Sequence, residues 1–235
     1  MKKIVFDIET AGENFDEMDE VTQKSLSHWI ERVASDESEK EKLLSDLKNG
    51  MGFSPFTGEI VAIGVLDVDT EKGAVYYQNL QSEEESEQNG VKLKPMTEKE
   101  MLENFWRIVD HAEEFVSYNG RGFDVPFLMI RSAMHKIKPT KNLMSNRYLN
   151  SQFTGARHVD LMDQLTFYGA VRRNPNLHIA CRLFGIPSPK QEGVTGEDVT
   201  KLFREGRCRE IAEYNARDLK STAKIYDYWN RYLRM

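Results

Sequence analysis

Cysteine is almost missing: Cys181 and Cys208 are the only two in 235 residues. That leaves no disulfide framework and no thiolate zinc site, and it fits a reducing compartment, with the cytoplasm as the default location. No run of about 18 apolar residues exists, so no membrane span is expected. The N-terminal apolar run stops at Asp7, short of the roughly 7–15 residues of a secretory signal. The histidines (His28, His111, His135, His158 and His178) include no i, i+4 pair, so no zinc-binding helix is expected. Each is expected on the surface or satisfied in the core. No internal repeat is present. Acid is also missing from one region. Residues 125–159 contain no Asp or Glu but carry Arg131, Lys136, Lys138, Lys141, Arg147 and Arg157, with Phe127, Tyr148 and Phe153 among them. Elsewhere the chain is acidic, as in SEEESE at 82–87, and the net charge is −6. An acid-free stretch of this kind is either a solvated surface or a groove that tracks phosphates.

What is present reads as mixed α/β. KIVFDIE, EIVAIGVLDV (59–68), AVYYQNL (74–80), EFVSY (114–118) and ARHVDLM (156–162) have the β-branched and aromatic content of strands. Residues 13–49 are highly charged with helical periodicity, and they read as a helical insertion too short for its own core. Residues 81–90 read as a polar acidic loop. Thr97 with Glu100 forms a capping box opening a helix to about His111. Further helices are expected at about 124–134, 162–171, 178–184, 197–205 and 208–233. The expectation is one domain over 1–235, a central five-stranded mixed sheet with three antiparallel strands followed by parallel ones, flanked by helices.

Three groups of residues carry chemistry. Asp7 and Glu9 are i and i+2 on the first strand, so both project from one face while Phe6 and Ile8 pack on the other. Two like charges about 4 Å apart repel by roughly 4 kcal/mol at an effective dielectric near 20, unless something positive lies between them. In SYNGRGFDVPFL (117–128), Asp124 is either a helix N-cap or a carboxylate beside a Gly-rich turn. There Asn119 and Phe123 suit a nucleic-acid end, the ring by stacking and the amide by hydrogen bonding. In EYNARDL (213–219), Tyr214 and Asp218 are i and i+4 on one helical face. Asp218 sits at the edge of that helix's apolar stripe, where it needs either a basic partner or a metal. Asp160 reads as capping the helix that follows it.

Taken in this order, the groups resemble the DEDD superfamily of 3′–5′ exonucleases, which share an RNase H-like fold. The match consists of D-x-E on the first strand (Asp7, Glu9), N-x3-F-D after the fourth (Asn119, Phe123, Asp124) and Y-x3-D on the last helix (Tyr214, Asp218). The tyrosine form is that of the proofreading domains of family A and B DNA polymerases; the histidine form needs His where Glu213 stands. SPFTGEIVAIGV (54–65), LFGIPSPK (183–190) and LFREGRCREIAEYNARDL (202–219) resemble stand-alone relatives of the family-B exonuclease domain. The resemblance implies that Asp7, Glu9, Asp124 and Asp218 hold two Mg²⁺ or Mn²⁺ ions and that Tyr214 orients the attacking water. It implies contacts from Thr10, Asn119 and Phe123 to the 3′-terminal nucleotides; the acid-free stretch would then face the phosphates, with Arg131 and Arg147 the first candidates to contact them. The expected activity is release of nucleotides from the 3′ end of a single strand, DNA before RNA, in a role such as DNA repair. A non-catalytic nucleic-acid-binding module and an RNase H-type endonuclease are the alternatives on the same fold. A haloacid dehalogenase-like phosphatase, mimicked by FDIET, has no use for Tyr214 or Asp218.

Overall fold

The first strand, β1 (Lys3–Gly12), is buried on both sides because elements cover both faces of the sheet it centres. Ile4, Phe6 and Ile8 enter one apolar cluster, and Val5 and Ala11 enter the other. The computed structural model describes residues 2–79, 84–188 and 196–234. The remaining strands are β2 (Gly58–Asp67), β3 (Gly73–Tyr77), β4 (Ser86–Gln88), β5 (Val91–Pro95), β6 (Glu114–Ser117) and β7 (Arg157–Asp160). They form one mixed sheet in the order β4-β5-β3-β2-β1-β6-β7. β1, β2 and β3 pair antiparallel, and β6 and β7 continue parallel to β1.

Among the described residues the sheet has seven strands where five were expected. The additional pair, β4 and β5, joins through Asn89-Gly90, both with positive φ (51° and 81°). That is the two-residue hairpin turn whose backbone twist matches its strands. In β5, Val91 and Leu93 are buried while Lys92 points out, the alternation of a half-buried strand. The acidic composition of 81–90 masks the signal. Parts of that expected loop, the end of AVYYQNL at Leu80 and the last residues of LFGIPSPK lie outside the described residues.

Between β1 and β2 run three helices, α1 (Glu20–Ser27), α2 (Ile30–Val33) and α3 (Glu37–Gly50). One face of the sheet is covered by α4 (Glu98–Asp110) and α5 (Asp124–Met134). Thr97 caps α4 through the expected box, its backbone N–H donating to Glu100 at 2.9 Å. The other face is covered by α6 (Leu161–Leu165), α7 (Leu177–Leu183), α8 (Val199–Arg204) and the long α9 (Cys208–Tyr232). The helix expected over 162–171 is only α6. It ends in a left-handed turn at Phe167, Tyr168 and Gly169, with φ of 50°, 57° and 99°. Among the described residues no helix is long and apolar enough to cross a membrane.

Candidate active site

β1 alternates, so Asp7 and Glu9 share the face of Val5, which is the face α9 covers. α9 presents Tyr214, Asn215 and Asp218, all buried. One ligand oxygen each from Asp7, Glu9 and Asp218 lies within 4.8 Å of the others. A register shift in the β1–β2 ladder between Glu9 and Thr10 falls at this point, the kind of irregularity that re-aims side chains beside a site.

Asp124 comes from the other side. It is the first residue of α5, and the N-cap is Phe123, which makes no side-chain cap bond. Instead of capping its own helix, Asp124 accepts the Ile8 N–H through Oδ1 at 3.0 Å. The carboxylate is thereby fastened to the backbone between Asp7 and Glu9.

The electrostatics follow from burial and crowding. Enclosure, then the fields of Asp124, Asp218 and Glu9, raises Asp7 well above the usual carboxylate range, although its side chain keeps some contact with solvent. Burial and Asp218 raise Glu9 in the same way, partly offset by a hydrogen bond from Asn215. Burial pushes Asp124 up to about 7 against the stabilising Ile8 N–H. Among the described residues no lysine or arginine forms an ion pair with Asp7, Glu9 or Asp124. Asp7, Glu9 and Asp124, crowded together with Asp218, fit a divalent ion: they offer hard oxygen ligands and net negative charge. Tyr214 is raised by burial and by Asp218, Glu9 and Asp7, and it hydrogen-bonds Asp218. It stays protonated at any ordinary pH.

Sequence reasoning missed Asn215. Its side chain is fully buried, and Nδ2 donates to Asp7 Oδ2 at 2.8 Å and to Glu9 Oε1 at 3.5 Å. Its Oδ1 has no hydrogen-bond partner among the described residues and lies over Gly64 of β2, where a Cβ would approach to 2.0 Å. Gly64 is paired with Asp7 in the ladder. The available signal was a glycine in the middle of a strand, which marks a close approach by another group.

The substrate-contact expectations fare unevenly. Asn119 adopts a left-handed φ of 64° and is half-buried. Phe123 is also half-buried and packs against Phe127 with centroids 5.0 Å apart. Both remain next to Asp124. Thr10 is buried and donates to the Gly52 carbonyl at 2.6 Å. Arg131 is committed to Glu98 through two 2.7 Å contacts, and Glu98 also accepts the Ile60 N–H. Arg147 forks onto Asp163. Neither arginine is a free cation: each is paired with a buried carboxylate. Asp160 caps α6 through Met162 and also accepts the N–H groups of Asn119 (3.0 Å) and Arg121 (2.9 Å). It therefore shapes the turn that presents Asp124.

Comparison with solved structures finds a family B DNA polymerase from the hyperthermophilic archaeon Pyrobaculum calidifontis, with a TM-score of 0.57 and 16% identity. The match covers 98% of this chain and 24% of the polymerase chain, so the chain spans about a quarter of that protein's length. At such identity the likeness bears on the fold, and it is that of a sheet flanked by helices as seen here. A search of the curated proteins gave no match. A family model does match residues 55–235, a range that holds Asp124, Tyr214 and Asp218 and begins after Asp7 and Glu9. The chain therefore belongs to the family described as predicted 3′–5′ exonucleases related to the exonuclease domain of PolB.

Proposed function

We propose that this chain is a two-metal-dependent 3′–5′ exonuclease that removes nucleotides from the end of a single strand, with DNA favoured. The observation that carries the reading is the meeting of Asp7, Glu9 and Asp218 oxygens within 4.8 Å, two of the three residues buried and Asp7 half-buried. Asp124 is tied to the same strand through Ile8.

Asp7, Glu9, Asp124 and Asp218 would hold Mg²⁺ or Mn²⁺. When bound, the ions supply Lewis-acid polarisation and neutralise charge developing on the phosphate oxygens. The protein's part is positioning. Asn215 holds Asp7 and Glu9 by one amide, so two repelling carboxylates keep a fixed spacing. Tyr214 keeps its proton and offers a hydroxyl to orient water for in-line attack on the terminal phosphorus; it is no general base. Asn119 and Phe123 flank Asp124 and would hold the terminal base and sugar. The Asp160 carboxylate keeps that turn rigid through the Asn119 and Arg121 N–H groups.

A 5′-labelled single strand incubated with Mg²⁺ or Mn²⁺ tests the reading. A ladder shortening from the 3′ end, abolished by chelator and by Asp7→Ala, is the expected result. Internal cuts would mark an RNase H-type endonuclease. Binding without cleavage, unchanged by Asp7→Ala, would mark a non-catalytic module.

A further inference from the structure

Acid stays scarce beyond residues 125–159. From residue 125 to 191 the chain carries ten Lys or Arg against two Asp and no Glu. Both acids, Asp160 and Asp163, are buried and already satisfied by backbone N–H groups or Arg147. Within this region the turn after α6 stands out. Phe167 and Tyr168 are consecutive bulky residues in the left-handed region, which L side chains rarely occupy. Strain of this kind persists only where surrounding structure imposes it, and it gathers at ligand clamps.

The two rings have different fates. The Tyr168 hydroxyl accepts the Leu149 N–H at 3.1 Å and the Gln164 amide at 2.9 Å, which explains its place. Phe167 is 52% exposed, and its ring makes no aromatic contact among the described residues. Tyr148 is 57% exposed and packs on Tyr168, the residue after Phe167, with centroids 4.8 Å apart. Arg172 and Arg173 follow, both exposed and without an ion pair among the described residues. The turn is held rigid: Tyr168 N–H donates to Asp163 O at 2.8 Å and Val171 N–H to Thr166 O at 3.0 Å. Its far end is fastened by the Tyr118 hydroxyl, which donates to the Pro175 carbonyl at 2.8 Å. Tyr118 directly precedes Asn119. Because β6 and β7 run parallel to β1, the Asn119–Asp124 turn and α6, which leads into this turn, leave the sheet at the same end, the carboxyl ends of the strands where α/β sheets bind ligands.

We propose that the 166–173 turn is a platform for a single polynucleotide strand, stacking bases on Phe167 and Tyr148 and binding phosphates through Arg172 and Arg173. It serves the nucleotides upstream of the 3′ end, and in that placement it rests on the exonuclease reading. Stacking is sequence-tolerant and does not distinguish DNA from RNA, so the shared chemistry is an unpaired base with its phosphate.

The test is fluorescence anisotropy of the full chain, in chelator, with labelled oligothymidylate and oligouridylate of about 3 and 12 nucleotides, lengths chosen below and within the roughly 4–16-nucleotide footprint of a single-strand-binding OB fold. Phe167→Gly removes the ring and relieves the left-handed strain, so its melting temperature should not fall. It should weaken the 12-mer on the order of tenfold and the 3-mer far less. Arg172→Ala with Arg173→Ala should reduce the slope of log affinity against log salt by about 1.4 on the longer strand. Equal losses on deoxy and ribo 12-mers support a base-stacking platform; loss on one alone assigns the platform to that strand. Unchanged 12-mer affinity and salt slope in both variants overturn the proposal, as does a wild-type chain that binds no 12-mer. A wild type that binds the 12-mer through these residues but never shortens it with Mn²⁺ supports the platform and removes the nuclease reading. Shortening that ignores both substitutions does the reverse.

Discussion

Gly64→Ala is the most informative single change, because one methyl group tests how the acidic pair is held. Gly64 faces α9 at the ladder position of Asp7, and an added Cβ would meet Asn215 Oδ1 at 2.0 Å, Leu219 Cδ1 at 2.7 Å and Asn215 Cγ at 3.1 Å. Leu219 can rotate a methyl away. Asn215 cannot withdraw without pulling Nδ2 off Asp7 and Glu9. Overpacking costs about 1–3 kcal/mol, and losing a hydrogen bond to a carboxylate costs about 1.5–3 kcal/mol. The intrinsic gain of Ala over Gly in a strand returns about 0.5–1 kcal/mol. The net expectation is a loss of about 2–4 kcal/mol, or roughly 5–15 °C in melting temperature for a chain of this length. Asn215→Ala removes the colliding oxygen, so the Gly64→Ala/Asn215→Ala pair should melt above Gly64→Ala alone. The two sites are in contact, and their effects should fail to add by about 1 kcal/mol or more. Calorimetry of the four proteins without metal measures the cycle. A Gly64→Ala protein that melts with the wild type, or strictly additive effects, would show that Asn215 is not wedged between β2 and the carboxylates.

Other outcomes follow from the same geometry. Divalent cation at about a hundredfold its Kd should stabilise the wild type by about 2.7 kcal/mol; Asp7→Asn should lose that shift without melting lower in chelator, and a retained shift would remove Asp7 from the ion site. Tyr214→Phe deletes the hydroxyl that bonds Asp218. It should slow turnover on the order of a hundredfold, the cost of a misplaced reactant, while calorimetric Mn²⁺ affinity stays in place; full activity would end the tyrosine's role. Burial pushes His158 down to about 4, despite its contact with the Leu143 carbonyl. Both folded and unfolded chains hold it neutral above about pH 6.5. Between there and about pH 4 only the unfolded chain takes the proton, so its contribution falls with pH by up to about 3 kcal/mol. NMR of the native ring should show no titration down to pH 5, and a midpoint near 6.5 would contradict the burial argument.

Periodicity made much of this architecture readable in advance. The two-residue repeat of a strand places Asp7 and Glu9 on one face whatever the rest of the chain does, and the helical repeat does the same for Tyr214 and Asp218. Capping chemistry located the start of α4 at Thr97, since that signal is local. Where local signals compete, the reading failed. Acidic composition hid the β4–β5 hairpin although Asn89-Gly90 was in plain view, and helical content carried α6 past its end at Leu165. Asp124 is as good an N-cap as a ligand by type, and only the arrival of β1 beside α5 turned its carboxylate to Ile8. Arg131 and Arg147 looked free in a basic stretch because their partners, Glu98 and Asp163, stand 33 and 16 positions away. The role of Asn215 likewise depends on a strand 208 residues distant. Amino-acid order by itself determined which side chains share a face, because backbone repeats act over a few residues. Which faces meet, and hence which charges are paired, crowded or left open, was decided by packing between segments far apart in the chain, where burial makes each unpaired group costly.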